Sequence, residues 1–273
     1  MVARRRARNQ TRLVYASAVH RDRIAPSAST AAALSALFIC DCDRDGPGVA
    51  IPRPELQLVV RFGPSARSGL DVHAFGARQR VHRKLIRRGQ RSLTARLALG
   101  APEAVLGVPA SAMAGRIVAL EDLWGDVDTR RLCARLAGAR DIVAAAAILE
   151  SAIADRLATT EGRPARAQLA LAAADRLTSA SVNAVAADLG VSERHLRRVF
   201  HETDGVSPKA FARLTRFHRA LGAARQDAHA VWASIAAAAG YYDQAHLIGE
   251  FRAISGVTPR ALVAEMGAAP MVA

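Results

Sequence analysis

The chain has 273 residues, 51% hydrophobic but only 4% aromatic, with 38 Lys/Arg against 24 Asp/Glu for a net charge of +14. That length accommodates one large or two ordinary domains with real cores, and the charge favours a negatively charged partner, nucleic acid before membrane. No stretch reaches the roughly eighteen apolar residues of a membrane helix, so no membrane-spanning helix is expected; Cys40, Cys42 and Cys133 are an odd, sparse set that reads as reduced thiols in a cytoplasm.

Residues 1–23 read as a basic, unstructured tail bearing Arg4, Arg5, Arg6, Arg8 and Arg12, suited to non-specific phosphate attraction or to nothing. Residues 31–40 are an apolar run, too far from the start for a signal peptide, and read as core. Cys40-Asp41-Cys42-Asp43 lacks the CxxC or His pair that would complete a zinc set, so no metal is expected and the stretch reads as a strand end entering an Asp-rich turn.

From residue 51 to 124 the pattern is short apolar runs with turn punctuation. Residues 56–62 before Gly63-Pro64, 70–75 before Gly76, and 81–86 each read as strands. Leu93, Ala95, Leu97 and Leu99 alternate with other residues before Gly100, the signature of a half-buried strand. Such spacing implies a small β-barrel or sandwich. Alternation also places Arg78, Arg80 and Lys84 on one strand face. Two readings of that cluster stay open: contacts for an anionic effector or acidic partner, or a solvated edge that resists aggregation.

Residues 141–158 repeat Ile, Leu and Ala at helical spacing, and 159–164 read as a linker. The helix fits either a subunit contact or a seat on its own barrel. A further helix is expected over 165–177 and a long one over 208–225, which at 1.5 Å per residue spans about 27 Å.

Between them the chain repeats itself. Val185-Ala186-Ala187-Asp188-Leu189-Gly190 is echoed by Ile235-Ala236-Ala237-Ala238-Ala239-Gly240, and Phe200-x4-Gly205-Val206-Ser207-Pro208 by Phe251-x4-Gly256-Val257-Thr258-Pro259. Each copy reads as helix, tight turn, helix: Gly supplies the left-handed residue that ends a helix, Ser192 or Asp243 caps the next, and Leu/Phe at i and i+4 form its buried stripe. Arg194, Arg197 and Arg198 lie off that stripe, and Arg is the side chain best matched to the paired acceptors of guanine. The charge is not concentrated in this half: residues 164–266 hold 12 Lys/Arg and 9 Asp/Glu, 12 − 9 = +3. The local Arg face, rather than global basicity, carries the nucleic-acid reading.

The runs Leu189-Gly190-Val191-Ser192-x-x-x-Leu196-x-Arg198-x-Phe200 and Gly240-Tyr241-Tyr242-Asp243-Gln244-Ala245-His246-Leu247-x-x-x-Phe251, with the two Gly-Val-Ser/Thr-Pro closes, resemble the DNA-binding domain of the AraC/XylS family of bacterial transcription regulators. The resemblance implies an α+β chain: a cupin-like sensor or dimerisation domain over 24–125, a helical linker region over 126–163, two helix-turn-helix units joined by a long helix over 164–266, and a tail at 267–273. It implies base reading by Arg194, Arg197 and Arg198 from one unit and by Gln244, Ala245 and Ile248 from the other, with Gly249 standing where many members have a basic residue. The second unit is therefore expected to add mainly backbone and shape contacts. Ser192, His195, Lys209, Asp243, His246 and Arg252 are the candidates for contacting the DNA backbone or for positioning, His246 being equally suited to a bond within the domain.

Arg96-Leu97-x-x-Gly100-Ala101-x-x-x-Val105-Leu106-Gly107-Val108-Pro109 and Leu120-Glu121-Asp122-Leu123-Trp124-Gly125 resemble the front halves of some AraC-type regulators. A metal cupin needs clustered His, and the region offers only His73 and His82, so neither catalysis nor a cofactor is expected. The partners implied are double-stranded DNA, RNA polymerase for an activator, a small-molecule effector and a second copy of the chain. The alternative is a constitutive DNA-binding protein whose front half is structural, with no effector.

Overall fold

The computed structural model describes residues 19–159, 165–227 and 230–268. Most of the expected basic tail and of the 159–164 linker therefore lies outside the described residues, but 19–23 are not tail: they belong to strand β1 (Val19–Ile24). Seven further strands follow: β2 (Leu34–Cys42), β3 (Gly46–Ala50), β4 (Gln57–Phe62), β5 (Leu70–Phe75), β6 (His82–Ile86), β7 (Arg91–Leu97) and β8 (Ile117–Ala119). They form an antiparallel six-stranded sheet in the order β1-β2-β7-β4-β5-β8 and a two-stranded ribbon, β3-β6.

Register gives the large sheet two unlike faces. Leu37 pairs with Ala95 and Ile39 with Leu93, which in turn pair with Leu58 and Val60; all are buried in the main apolar core. The alternate residues share the opposite face: Phe38, Cys40, Ser92, Thr94, Arg96, Gln57, Arg61, Asp71 and His73. This second face is polar yet covered, for Gln57, Asp71, Thr94 and Arg96 are all buried. Ile86 of β6 packs on Cys40 and Cys42, so the ribbon lies over the cysteine end of the face. Strand β7 is thus buried on both sides, not half-buried as its alternation suggests.

Short helices α1 (Pro102–Leu106) and α2 (Glu121–Trp124) lead into α3 (Asp126–Ala137) and α4 (Ile142–Ala158). The indole N–H of Trp124 donates to the Val105 carbonyl at 2.9 Å, tying α2 to α1. Asp141 caps α4 by accepting from the Ala144 amide at 2.7 Å. Ala145, Ala146, Leu149 and Ile153 of α4 are buried in the same core as the sheet, so this helix seats on its own chain.

Among the described residues of the C-terminal half the regular elements are all helices: α5 (Ala165–Arg176), α6 (Val182–Asp188), α7 (Glu193–Asp204), α8 (Pro208–Gln226), α9 (Trp232–Ala239), α10 (Gln244–Ser255) and α11 (Pro259–Ala268). The chain is therefore α+β, with a sheet region followed by two helix-turn-helix units on either side of the long α8.

Both units are fastened to the front half. The main core runs without a break from Ala33 to Ala212, through α5, α6 and α7. At this seam the Gly100 amide donates to Asp204 Oδ1 at 2.9 Å. A Cβ on Gly205 would stand 2.8 Å from the Ala110 carbonyl oxygen, and one on Gly100 would stand 2.8 Å from Ala167 Cβ. The second unit has its own core, which Val49, Ile51 and Val81 from the ribbon region join. There the Val81 amide donates to the Ile254 carbonyl at 2.9 Å, and His218 Nε2 lies 2.7 Å from the Pro52 carbonyl oxygen.

Candidate nucleic-acid interface

In the first unit the chain leaves α6 through Gly190, at φ 66, and enters α7 through Ser192, whose hydroxyl accepts from the His195 amide at 3.2 Å. Leu196, Val199 and Phe200 are buried, and Phe200 meets Phe211 of α8 edge-on with ring centroids 5.6 Å apart. This fixes the rotation of α7 and leaves Arg194, Arg197 and Arg198 exposed. Arg197 pairs with Glu193 one turn back, and Arg198 Nη2 lies 3.1 Å from His195 Nδ1. Lys209 is exposed in the first turn of α8, after Ser207 has capped that helix through the Ala210 amide at 3.2 Å.

The second unit repeats the construction. Gly240 stands at φ 84, Asp243 accepts from the His246 amide at 2.7 Å, and Leu247, Phe251 and Ile254 are buried. Phe251 packs on Phe217 of α8 at a centroid distance of 4.5 Å. Gln244, Ala245 and Arg252 are exposed, whereas Ile248 is half-buried against the local core and offers only part of its side chain outward. His246 is exposed but engaged within the domain: its ring meets Tyr241 edge-on at 5.4 Å, and its Nδ1 accepts from the Tyr242 amide at 3.4 Å. Ser192 and Asp243 act as caps, positioning the helices from their ends.

A half-buried ion network that no sequence pattern announces holds α10 to α8. Glu250 lies 3.1 Å from Arg213 Nε and 3.7 Å from Arg216 Nη2, and the Arg216 guanidinium stands over the Tyr241 ring at 5.7 Å. Burial first, then Glu250, pushes the Tyr241 hydroxyl far above the ordinary phenol range. The partners are 37 residues apart, so neither helix's sequence points to the other.

Two titratable groups sit where the halves meet. Burial raises the Asp204 carboxyl to about 6, against the bonds from Thr203 and Gly100 that favour its charged form. Burial, joined by Arg53, lowers His218 to about 3, so its ring is neutral.

Arg78, Arg80 and Lys84 do not share a strand face, because β6 begins only at His82. Arg78 instead lies in the preceding loop with its guanidinium 4.9 Å over the Phe75 ring, while Arg80 is exposed. Lys84 is exposed on β6, and its ammonium is held below the ordinary range, first by desolvation along its stem and then by the Arg78 and Arg61 charges. Beneath the ribbon, burial and then Cys40 push the Cys42 thiol up to about 11. Among the described residues, no group of three or more His, Cys, Asp or Glu is placed to hold a metal ion, and no helix is long and apolar enough to cross a membrane.

A search of curated proteins finds no match. Among solved structures, the chain is similar to ToxT from Vibrio cholerae at 1.65 Å resolution, with 9% identity over 90% of this chain and 98% of that one and a TM-score of 0.43. It is likewise similar to ToxT from Vibrio cholerae O395, with 10% identity over 90% of this chain and 97% of that one and a TM-score of 0.42. Likeness at that level is too distant to bear on function. A family model described as a helix-turn-helix domain matches residues 185–265, the stretch that holds both capped recognition helices and the whole of the long helix between them.

Proposed function

We propose that this chain is a sequence-specific transcription regulator of the AraC/XylS type that binds double-stranded DNA through both helix-turn-helix units and senses an effector with its front half. One observation carries the DNA reading: Arg194, Arg197 and Arg198 stand exposed along a helix whose cap and buried stripe leave it no rotational choice. Arginines so held match guanine O6 and N7 in the major groove. Helix α8, with 19 residues, spans about 28 Å and seats both units. That length suits recognition helices set into successive major-groove segments, which recur about every 34 Å. Lys209 and Arg252 then face phosphate, and a polymerase contact would make the protein an activator.

A sensor reading of the front half, covering 24–125 with 126–163 as its helical connection, is favoured over a purely structural one by the polar face of the sheet. Thr94 Oγ1 is buried without a hydrogen-bond partner among the described residues, beside buried Arg96, Gln57 and Asp71. A structural layer would be apolar there, since an unsatisfied buried polar group costs about 1–3 kcal/mol. Arg78 and Lys84 at the ribbon would contribute positive charge toward an anionic effector, Arg80 lying outside that group.

The test is selection of a randomised duplex pool by the full-length protein, repeated with Arg194→Ala and Arg198→Ala. An enriched sequence whose binding weakens in both variants supports the reading. Binding of all sequences alike, unchanged by either variant, sinks it. A thermal-shift series with small carboxylates and phosphates addresses the front half: a structural domain would respond to none.

A further inference from the structure

We infer that the two recognition helices read different bases, guanine by the first and thymine with adenine by the second, so that the operator is a pair of unlike half-sites. This rests on the DNA-binding reading above. The duplication supplies its own comparison, because the two helices are seated alike. Leu196 and Phe200 correspond to Leu247 and Phe251, all wholly buried, and Ser192 corresponds to Asp243, each capping through the amide three residues on.

In that common register Arg194, Arg197 and Arg198 correspond to Ala245, Ile248 and Gly249. The same positions thus carry three guanidinium groups on α7, and on α10 a methyl group, a half-buried isoleucine and no side chain at all, with no charge among them. Gly249 has no internal reason to be glycine: its φ is not positive, and a Cβ there would meet nothing within 4 Å. Glycine inside a helix is intrinsically disfavoured, so its use lies outside the chain, in close approach of the backbone to a partner. Beside it stand the exposed amide of Gln244 and, at the entrance to α10, Tyr242 with 94% of its surface exposed. Small apolar groups meet the C5-methyl of thymine in the major groove, and the Gln amide matches adenine N6 and N7; neither suits guanine.

The experiment uses the full-length protein and the duplex selected from a randomised pool. Uracil replaces thymine in one half-site at a time, removing only the C5-methyl. In parallel, 7-deazaguanine replaces guanine, removing only the N7 acceptor. Uracil in the half-site of α10 is expected to weaken binding about fourfold per contacted thymine, the worth of one methyl-sized group withdrawn from water, and to change nothing in the half-site of α7. 7-Deazaguanine in the half-site of α7 is expected to weaken binding about tenfold. Selection with Ala245→Arg/Gly249→Arg shifts the second half-site toward guanine. Uracil that is silent in both half-sites, or guanine-centred sequence selected in both, overturns the inference while leaving the DNA-binding reading standing. A pool with no enriched sequence overturns both.

Discussion

Arg83 and Glu265, 182 residues apart, are joined by two N–H···O bonds of 2.6 and 2.9 Å. The same guanidinium donates twice to the Ser255 carbonyl at 3.0 Å. A single side chain on the ribbon thus closes over the end of α10 and the face of α11, with the Val81–Ile254 bond beside it. Arg83→Ala is expected to lower stability by about 1–2 kcal/mol, a charge-assisted set discounted for its partial exposure. Hydrogen exchange should accelerate in α10 and α11 and stay unchanged in α6 and α7. Equal acceleration in both units would show that the clamp is not local.

On DNA, the exposed cations divide into two kinds. Arg194→Ala and Arg198→Ala should each cost about 1–3 kcal/mol and relax the preference at one base position. Lys209→Ala should weaken binding to all sequences alike and lower the salt slope by about 1. Titrations on operator and random duplex at several salt concentrations separate the two patterns.

Gly190 and Gly205 both hold left-handed backbone, at φ 66 and 70, but only Gly205 is crowded, its Cβ position lying 2.8 Å from Ala110 O. Gly190→Ala should cost about 1 kcal/mol, the price of the conformation. Gly205→Ala adds a clash with backbone that must move, for about 3 kcal/mol in all. Urea midpoints give the comparison, and equal losses would mean that the Ala110 seam yields freely.

Asp204 and His218 oppose each other in acid. The Asp204 carboxyl is raised to about 6 in the fold, so the stability tied to its neutral form is full below the unfolded value near 3.8 and is lost as pH rises toward 6. His218 is lowered to about 3, so its contribution is full above 6.5 and is lost as pH falls below it. Asp204→Asn should leave a stability that only climbs between pH 4 and 6.5, gaining up to about 3 kcal/mol over the parent at neutral pH. His218→Gln should leave one that only falls over the lower part of that range. Denaturation midpoints measured in steps of pH decide both.

Much of the C-terminal half was legible because duplication repeats its signals: Gly190 and Gly240, Ser192 and Asp243, and the Leu/Phe stripes take the predicted turns, caps and buried faces. The front half was legible as strands but not as layers. Alternation in β7 reads as one wet face, yet Thr94 and Arg96 are covered by residues distant in sequence. Strand β1 hides because His20, Arg21, Asp22 and Arg23 are what an edge strand tolerates. Gly46 and Pro47 signal a turn but begin an edge strand of the ribbon. For the same reason the expected face of Arg78, Arg80 and Lys84 dissolved: periodicity assumed a strand four residues longer than the one that forms. Side-chain pairs such as Arg83–Glu265 and Arg213–Glu250 depend wholly on the assembled fold.

The seam between the sheet and the first unit limits how the chain can be recombined. Neither Gly100, against Ala167, nor Gly205, against Ala110, has room for an added carbon, Asp204 accepts from the Gly100 amide between them, and the apolar interior continues across this seam. A hybrid that joins this front half to another protein's reading head by splicing near 160 would inherit mismatched surfaces at those positions. To fold, it must transplant the five as one set, so the natural unit of exchange is a three-dimensional patch drawn from both sides of the splice.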